Sequence, residues 1–194
     1  MNTTTSKKEA ILDAALTLFA EHGFAHVSIA MIAEQSGVTK SLIFHHFGSK
    51  ERLWDEVKEH YFRQYAQTQE ILFEQEKNPL ALIEKSMRNY FSFIKQNPLV
   101  ARFFSYAHLD NDAGCGDLDK PLFMQGEFLI NSAQQQGLIR SGIQPSVLIM
   151  TFINGINQYF VARCRFEQWD SSLYRDDDLF INHFIDLLMT GIKP

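Results

Sequence analysis

Thr39, Lys40, Ser41 and Leu42 stand together where a short helix begins, two residues after Gly37, and that combination suits a polyanion. The free N–H groups and the dipole of a helix start favour phosphate. Thr39 is placed to cap the helix, and Lys40, Ser41 and Leu42 project from its first turn. A lysine and a hydroxyl serve phosphate, whereas a hydroxyl and a small apolar group serve base edges. Ile43 and Phe47, four apart, turn back toward a core. Upstream, Ile29, Ile32 and Ala33 fall at helical spacing behind Ser28, and Gly37 supplies the backbone freedom for a sharp turn. Two short helices joined in this way form a helix-turn-helix. Such a pair also occurs in helical proteins that bind no DNA, so geometry alone leaves both readings open.

The surrounding residues build a three-helix head. Ser6-Lys7-Lys8-Glu9 reads as a capping box, followed by one apolar stripe of Ile11, Leu12, Ala15, Leu16, Phe19 and Ala20 that stops at Gly23. Ser49, with Glu51 in the first turn, starts a fourth helix through Leu53, Trp54, Val57 and Tyr61. The runs ILDAALTLFAEHGF and SIAMIAEQSGVTKSLIFHHFGSKERL resemble the N-terminal DNA-binding domain of the TetR family of transcriptional regulators. The resemblance covers roughly the first third of the chain. It implies an all-α protein with a helix-turn-helix head over 1–51 and a larger helical effector-binding and dimerisation domain over 52–194, connected by helix 52–76. It further implies a sequence-specific DNA-binding regulator, a repressor that a small-molecule effector releases from a palindromic double-stranded operator.

Roles follow from the resemblance position by position. Ser28 stands where the family has a hydroxyl near a phosphate, and Thr39, Lys40, Ser41 and Leu42 occupy the base-reading and backbone-contacting helix start. Lys50 occupies the place of a lysine on the phosphate backbone. Phe44 departs from the family's usual tyrosine, which removes a hydroxyl and favours an apolar contact such as a thymine methyl. Either His45 or His46 can donate to phosphate, but adjacent residues on a helix face different ways, so one of them at most does so. Adjacent histidines do not converge on one ion, and no metal or cofactor is expected.

The formal charge is −5, from 18 Lys plus Arg against 23 Asp plus Glu. Within residues 1–50, Lys7, Lys8, Lys40 and Lys50 balance Glu9, Asp13, Glu21 and Glu34. Binding would therefore rest on a local positive edge and dimeric contacts rather than on bulk charge. With no signal peptide and no apolar run long enough to span a bilayer, the expected location is the cytoplasm. Cys115 and Cys164 exclude a disulfide framework. Cys164 reads as a packed thiol and Cys115 as part of an acidic loop, whose aspartates lack the glutamate that an EF-hand needs at its twelfth position.

Beyond the head, prolines mark the joints, and the periodicity predicts helices at 52–76, 79–96, 98–109, 121–137, 145–168 and 177–191. Tyr90, Phe103, Phe104 and Tyr106 belong to an aromatic-rich interior. On helix 145–168, Asn154, Asn157 and Gln158 interrupt an apolar run, and buried amides need partners. An effector, an opposing helix and a second subunit remain open as those partners. Tyr90, Phe103, Phe104, Tyr106, Asn154, Asn157 and Gln158 are the candidate effector contacts. Helices 145–168 and 177–191 are apolar over much of their circumference, and the resemblance implies a homodimer through them, with Gly155 permitting close approach. The segments NPLVARFFSYAHL and IQPSVLIMTFINGINQYF resemble the RutR-type branch of the family, which implies a small, polar, pyrimidine-like effector. No nucleophile, base and orienter occur together, so an enzyme is not expected. The alternative from another class is a DNA-independent dimeric helical interaction protein.

Overall fold

The computed structural model describes residues 6–109, 116–172 and 176–194. Ten α-helices form among them: α1 Lys7–His22, α2 Ile29–Ser36, α3 Lys40–Phe47, α4 Lys50–Gln75, α5 Pro79–Gln96, α6 Pro98–Leu109, α7 Lys120–Gln135, α8 Pro145–Val161, α9 Arg163–Trp169 and α10 Asp177–Gly191. A 3-10 turn, Phe24–His26, lies between α1 and α2, and no strand forms among the described residues. Local chemistry sets the starts. Ser6 and Glu9 make the reciprocal capping box, with the Glu9 N–H donating to Ser6 Oγ at 3.2 Å and the Ser6 N–H to Glu9 Oε2 at 2.8 Å. Asn78 caps α5 by accepting from the Ala81 N–H at 3.0 Å, and Pro79 follows where no amide hydrogen is needed. Asp176 caps α10 by accepting from the Asp178 and Leu179 N–H groups. Gly37 ends α2 in the left-handed region at φ 67°, where a residue with a Cβ would be strained.

The described residues pack as two compact units. The head comprises the chain up to Arg63 together with residues 99–109. Its core holds Ile11, Leu12, Ala15 and Phe19 of α1, Ile32 of α2, Ile43 and Phe47 of α3, Leu53, Trp54 and Val57 of α4, and Val100, Phe103 and Ala107 of α6. The body comprises 64–98 and the described residues from Gly116 onward. Leu82, Ile83, Met87, Phe91 and Ile94 of α5 form its centre with Ile130, Leu148, Ile149, Ile156, Tyr159, Ile181 and Ile185. The compact head unit runs past residue 51 to include early α4 and α6. Apolar positions of early α4 face Phe19, with the Trp54 ring edge-on at 4.9 Å, and α6 buries Phe103 against Trp54 at 4.5 Å. The helix expected over 145–168 divides at Ala162 into α8 and α9, whereas 79–96, 98–109 and 177–191 form as expected.

Candidate nucleic-acid interface

The α2–α3 pair exposes the residues that the sequence singles out. Ser28 Oγ accepts from the Met31 N–H at 3.3 Å and Thr39 Oγ1 from the Leu42 N–H at 3.2 Å. Each hydroxyl caps a helix and keeps its own proton to donate outward. Lys40, Ser41, His45 and His46 are exposed and Leu42 is half-buried, while Ile43 and Phe47 anchor α3 from behind. Phe44 is 49% exposed, an apolar ring held in water on a helix otherwise fixed by its buried face. Ser41, Phe44 and His45 share one side of α3, whereas His46 lies a step round the helix, its ring edge-on to His45 with centroids 5.4 Å apart.

Lys50 makes contacts within the head that its place in the sequence does not announce. Its Nζ donates to the carbonyls of Phe24 and Val27, both at 3.0 Å, and lies 4.1 Å from the centre of the Phe24 ring. Two of its three N–H groups therefore close the turn that delivers the chain into Ser28. Helix α4 starts where it does because Ser49 caps it, and that start aims the lysine at carbonyls which no helix satisfies. Lys8 is also engaged, pairing with Glu56 at 3.0 Å. Behind the interface the Tyr61 hydroxyl donates to Asp13 at 2.7 Å, tying α4 to α1. Burial first, and then the Asp13 carboxylate, push that phenol well above its ordinary pKa.

The seven candidate effector residues do not form one set. Phe103, Phe104 and Tyr106 belong to the head. Phe103 is fully buried beside Phe19 and Trp54, and the Tyr106 ring covers Gly23, where an added Cβ would sit 3.4 Å from it. The i, i+3, i+7 spacing of Val100, Phe103 and Ala107 explains this placement, since that face packs on α1 and α4. Tyr90, Asn154, Asn157 and Gln158 belong to the body. There the Tyr90 hydroxyl donates to Asn157 Oδ1 at 2.8 Å, and the Tyr65 ring packs edge-on to Tyr90 with centroids 5.2 Å apart. Burial raises both phenols well above their usual range, so each remains a neutral donor. Tyr65, four residues beyond Tyr61 on α4, was readable only as a helical repeat of tyrosine. Asn154 and Gln158 are exposed, because α8 turns them away from α5 and α10. Cys164 is exposed as well, not packed, since α9 lies beyond the break in the helix; Cys115 lies outside the described residues.

Gly155 allows a close approach within the chain: an added Cβ would meet the Phe184 ring of α10 at 2.6 Å. Asp177, at the start of α10, gathers Tyr159 Oη at 2.7 Å, Arg163 Nη1 at 3.3 Å and Lys95 Nζ at 3.1 Å. Among the described residues no group of His, Cys, Asp and Glu could hold a metal ion, and no helix is long and apolar enough to cross a membrane.

A family model described as "Bacterial regulatory proteins, tetR family" matches residues 11–57, the span from the core of α1 to the buried turn of α4. The chain is similar along almost its whole length to the HTH-type transcriptional regulator RutR of Escherichia coli (strain K12), at 29% identity over 203 residues, 98% of this chain and 92% of the relative. Over residues 11–57 the chain carries a TetR-family DNA-binding region. It is a DNA-binding transcriptional regulator and not an enzyme. The HTH-type transcriptional repressor AcnR of Corynebacterium glutamicum is 40% identical over 50 residues, covering 26% of this chain and 27% of AcnR. In fold, the ketosteroid transcriptional regulator KstR2 of Mycobacterium tuberculosis matches with a TM-score of 0.76 at 16% identity, over 99% of this chain and 97% of that one.

Proposed function

We propose that this regulator binds a palindromic operator as a homodimer in the cytoplasm, represses from it, and is released by a small-molecule effector that the body binds. The observation that carries the reading is the outward face of α3, where Ser41, Phe44 and His45 are exposed while Ile43 and Phe47 hold the helix in place. One such helix reads too few base pairs to select a site alone, so two heads are needed, with half-sites about 34–36 Å apart or somewhat more. Lys40 and the hydroxyls of Ser28 and Thr39 position the head on phosphates, while Ser41, Leu42 and Phe44 read bases. His45 supplies a further donor beside them, with His46 toward the groove edge.

The effector reading rests on Tyr90 and Asn157, polar groups that meet inside an aromatic part of the body. Such a site orients a small, polar, pyrimidine-like molecule by few hydrogen bonds. Repression accords with AcnR, named a repressor, matching over the head.

The test is selection of duplexes from a random pool by the full-length protein, followed by anisotropy titration of the enriched site. A palindrome should emerge, and a duplex carrying one half-site should bind far more weakly. Equal affinity for the half-site and the whole site would exclude the dimeric mode.

A further inference from the structure

A groove of about 380 Å³ lies in the body between the C-terminal half of α4 and α5. Ile71 and Leu72 line it from α4, and Lys85, Arg88, Asn89 and Ser92 from α5, where their i, i+3, i+4, i+7 spacing places them on one face. That face turns away from Leu82, Met87, Phe91 and Ile94, the buried side of α5. The groove therefore opens outward, apart from the contact that Tyr90 makes with Asn157 of α8. Ligand clefts span about 300–1,000 Å³, and this one falls within that range.

The lining presents two cations and neither a carboxylate nor an aromatic ring. The carboxylates that pair with those cations stand outside it, Glu76 on Lys85 and Glu84 on Arg88. They hold the two charged heads in place without exhausting them. Arg88 Nε donates to Glu84 at 3.0 Å and Nη1 to Asn182 of α10 at 2.8 Å, and a guanidinium has further N–H groups to give. Asn89 is preset from behind. Its Nδ2 donates to Gln69 Oε1 at 3.1 Å, and Gln69, only 2% exposed, donates in turn to Ser86 Oγ at 2.6 Å. That chain takes one amide N–H of Asn89 and leaves the other. On the opposite side Ile71 is 49% exposed, an aliphatic side chain open to water facing the cationic row.

We propose that this groove binds a small amphiphilic monoanion, a short aliphatic chain ending in a carboxylate, with the carboxylate at Lys85 and Arg88 and the chain over Ile71 and Leu72. Half-exposed cations hold a bare anion weakly in water, so the chain is needed as well. The aliphatic stems of Lys85 and Arg88 lengthen the apolar strip while their heads stay wet. With no ring in the lining to stack on, an aliphatic acid suits the groove better than an aromatic one. The overall charge of −5 disfavours anions elsewhere on the surface. This site is separate from the effector contacts of Tyr90 and Asn157 and does not depend on them.

The test is calorimetric titration of octanoate into the full-length protein, with 1-octanol as the chain without the charge and inorganic phosphate as the charge without the chain. One octanoate should bind per chain with a dissociation constant below about 1 mM, and each control roughly tenfold or more weakly. Arg88→Gln and Lys85→Gln should each weaken octanoate about tenfold, with Arg88→Lys retaining most of the affinity. Ile71→Asp, at an exposed position, should abolish binding, whereas Tyr90→Phe and Asn157→Ala should leave it unchanged. No saturable binding below about 1 mM would overturn the proposal, as would octanol binding as tightly as octanoate. So would several octanoates per chain that ignore the groove variants. Loss of octanoate in Asn157→Ala, with Arg88→Gln and Ile71→Asp unaffected, would move the ligand to the effector contacts and overturn the groove while that reading stood.

Discussion

Lys50→Met separates two roles for one ammonium, because it keeps the aliphatic stem and removes the charge. The two donations at 3.0 Å to the Phe24 and Val27 carbonyls hold the turn that leads into the Ser28 cap. Hydrogen bonds with a charged partner contribute about 1.5–3 kcal/mol each. The site is only part-buried, so water can take over the carbonyls in the variant and the lower end applies, about 3 kcal/mol for the pair. A urea m-value of about 1–3 kcal/mol/M turns that loss into a midpoint about 1–3 M lower. Trp54 sits in the head core and Trp169 is exposed on α9, so fluorescence in a Trp169→Phe background reports the head. Operator affinity should fall by the same factor at every salt concentration, since the loss arises from a loosened α2 start. A phosphate contact would behave otherwise, lowering the salt slope by about 0.9. A slope reduced by that amount with an unmoved urea midpoint would refute the clasp.

Three further outcomes are expected. Phe44→Ala should weaken operator binding by about 1 kcal/mol, roughly fivefold, from the ring area still open to water, with the salt slope unchanged in anisotropy titrations at several ionic strengths. Asp177→Asn should destabilise the body, and the loss should depend on pH. Burial pushes the Asp177 carboxyl up, but hydrogen bonds from Tyr159 and Lys95 and the charges of Arg163 and Lys95 outweigh it and hold the group below its ordinary value. The carboxylate's contribution is therefore complete above the unfolded pKa of about 3.9 and disappears as pH falls through the lower folded value. Denaturation curves of the parent and the variant should differ by a constant amount from about pH 5 to 8 and converge in acid; a gap that widened in acid would reverse the assignment. Gly155→Val should cost about 1–3 kcal/mol through overpacking, because a Cβ there meets Phe184 at 2.6 Å within the Phe180–Phe184 stack, and an unchanged melting temperature would contradict that contact.

The head was legible because its signals are local. Ser6 with Glu9, Ser28 and Thr39 each sit three residues from the amide they cap, and Gly37 takes the left-handed turn that its type permits. Residues at a helix start need nothing more distant to be exposed. The partners of α6 were not legible, since its apolar spacing fits any core, and only tertiary packing brings Phe103 to Phe19 and Tyr106 over Gly23. For the same reason the amides of α8 could not be sorted by sequence. One step of 100° separates Asn157, turned inward to Tyr90, from Gln158 on the open face. The break at Ala162 escaped because the apolar run continues to Phe160 and Val161, with neither glycine nor proline to mark an end. The Lys50 clasp escaped for a related reason: a lysine in sequence has no direction until the carbonyls around it are placed.

The seat of α6 changes what may be exchanged between relatives. Chimeras that graft the reading head of one regulator onto the sensor of another would naturally be cut near residue 51. In this chain that cut removes Leu53, Trp54 and Val57 from the incoming head and leaves the recipient's α6 to fill a cleft shaped for Phe103 and Tyr106. A graft that carries residues 1–63 and 99–109 as one discontinuous module keeps that interlock intact. The unit of specificity that recombination can move is thus two separate stretches of chain, and a single crossover cannot deliver it.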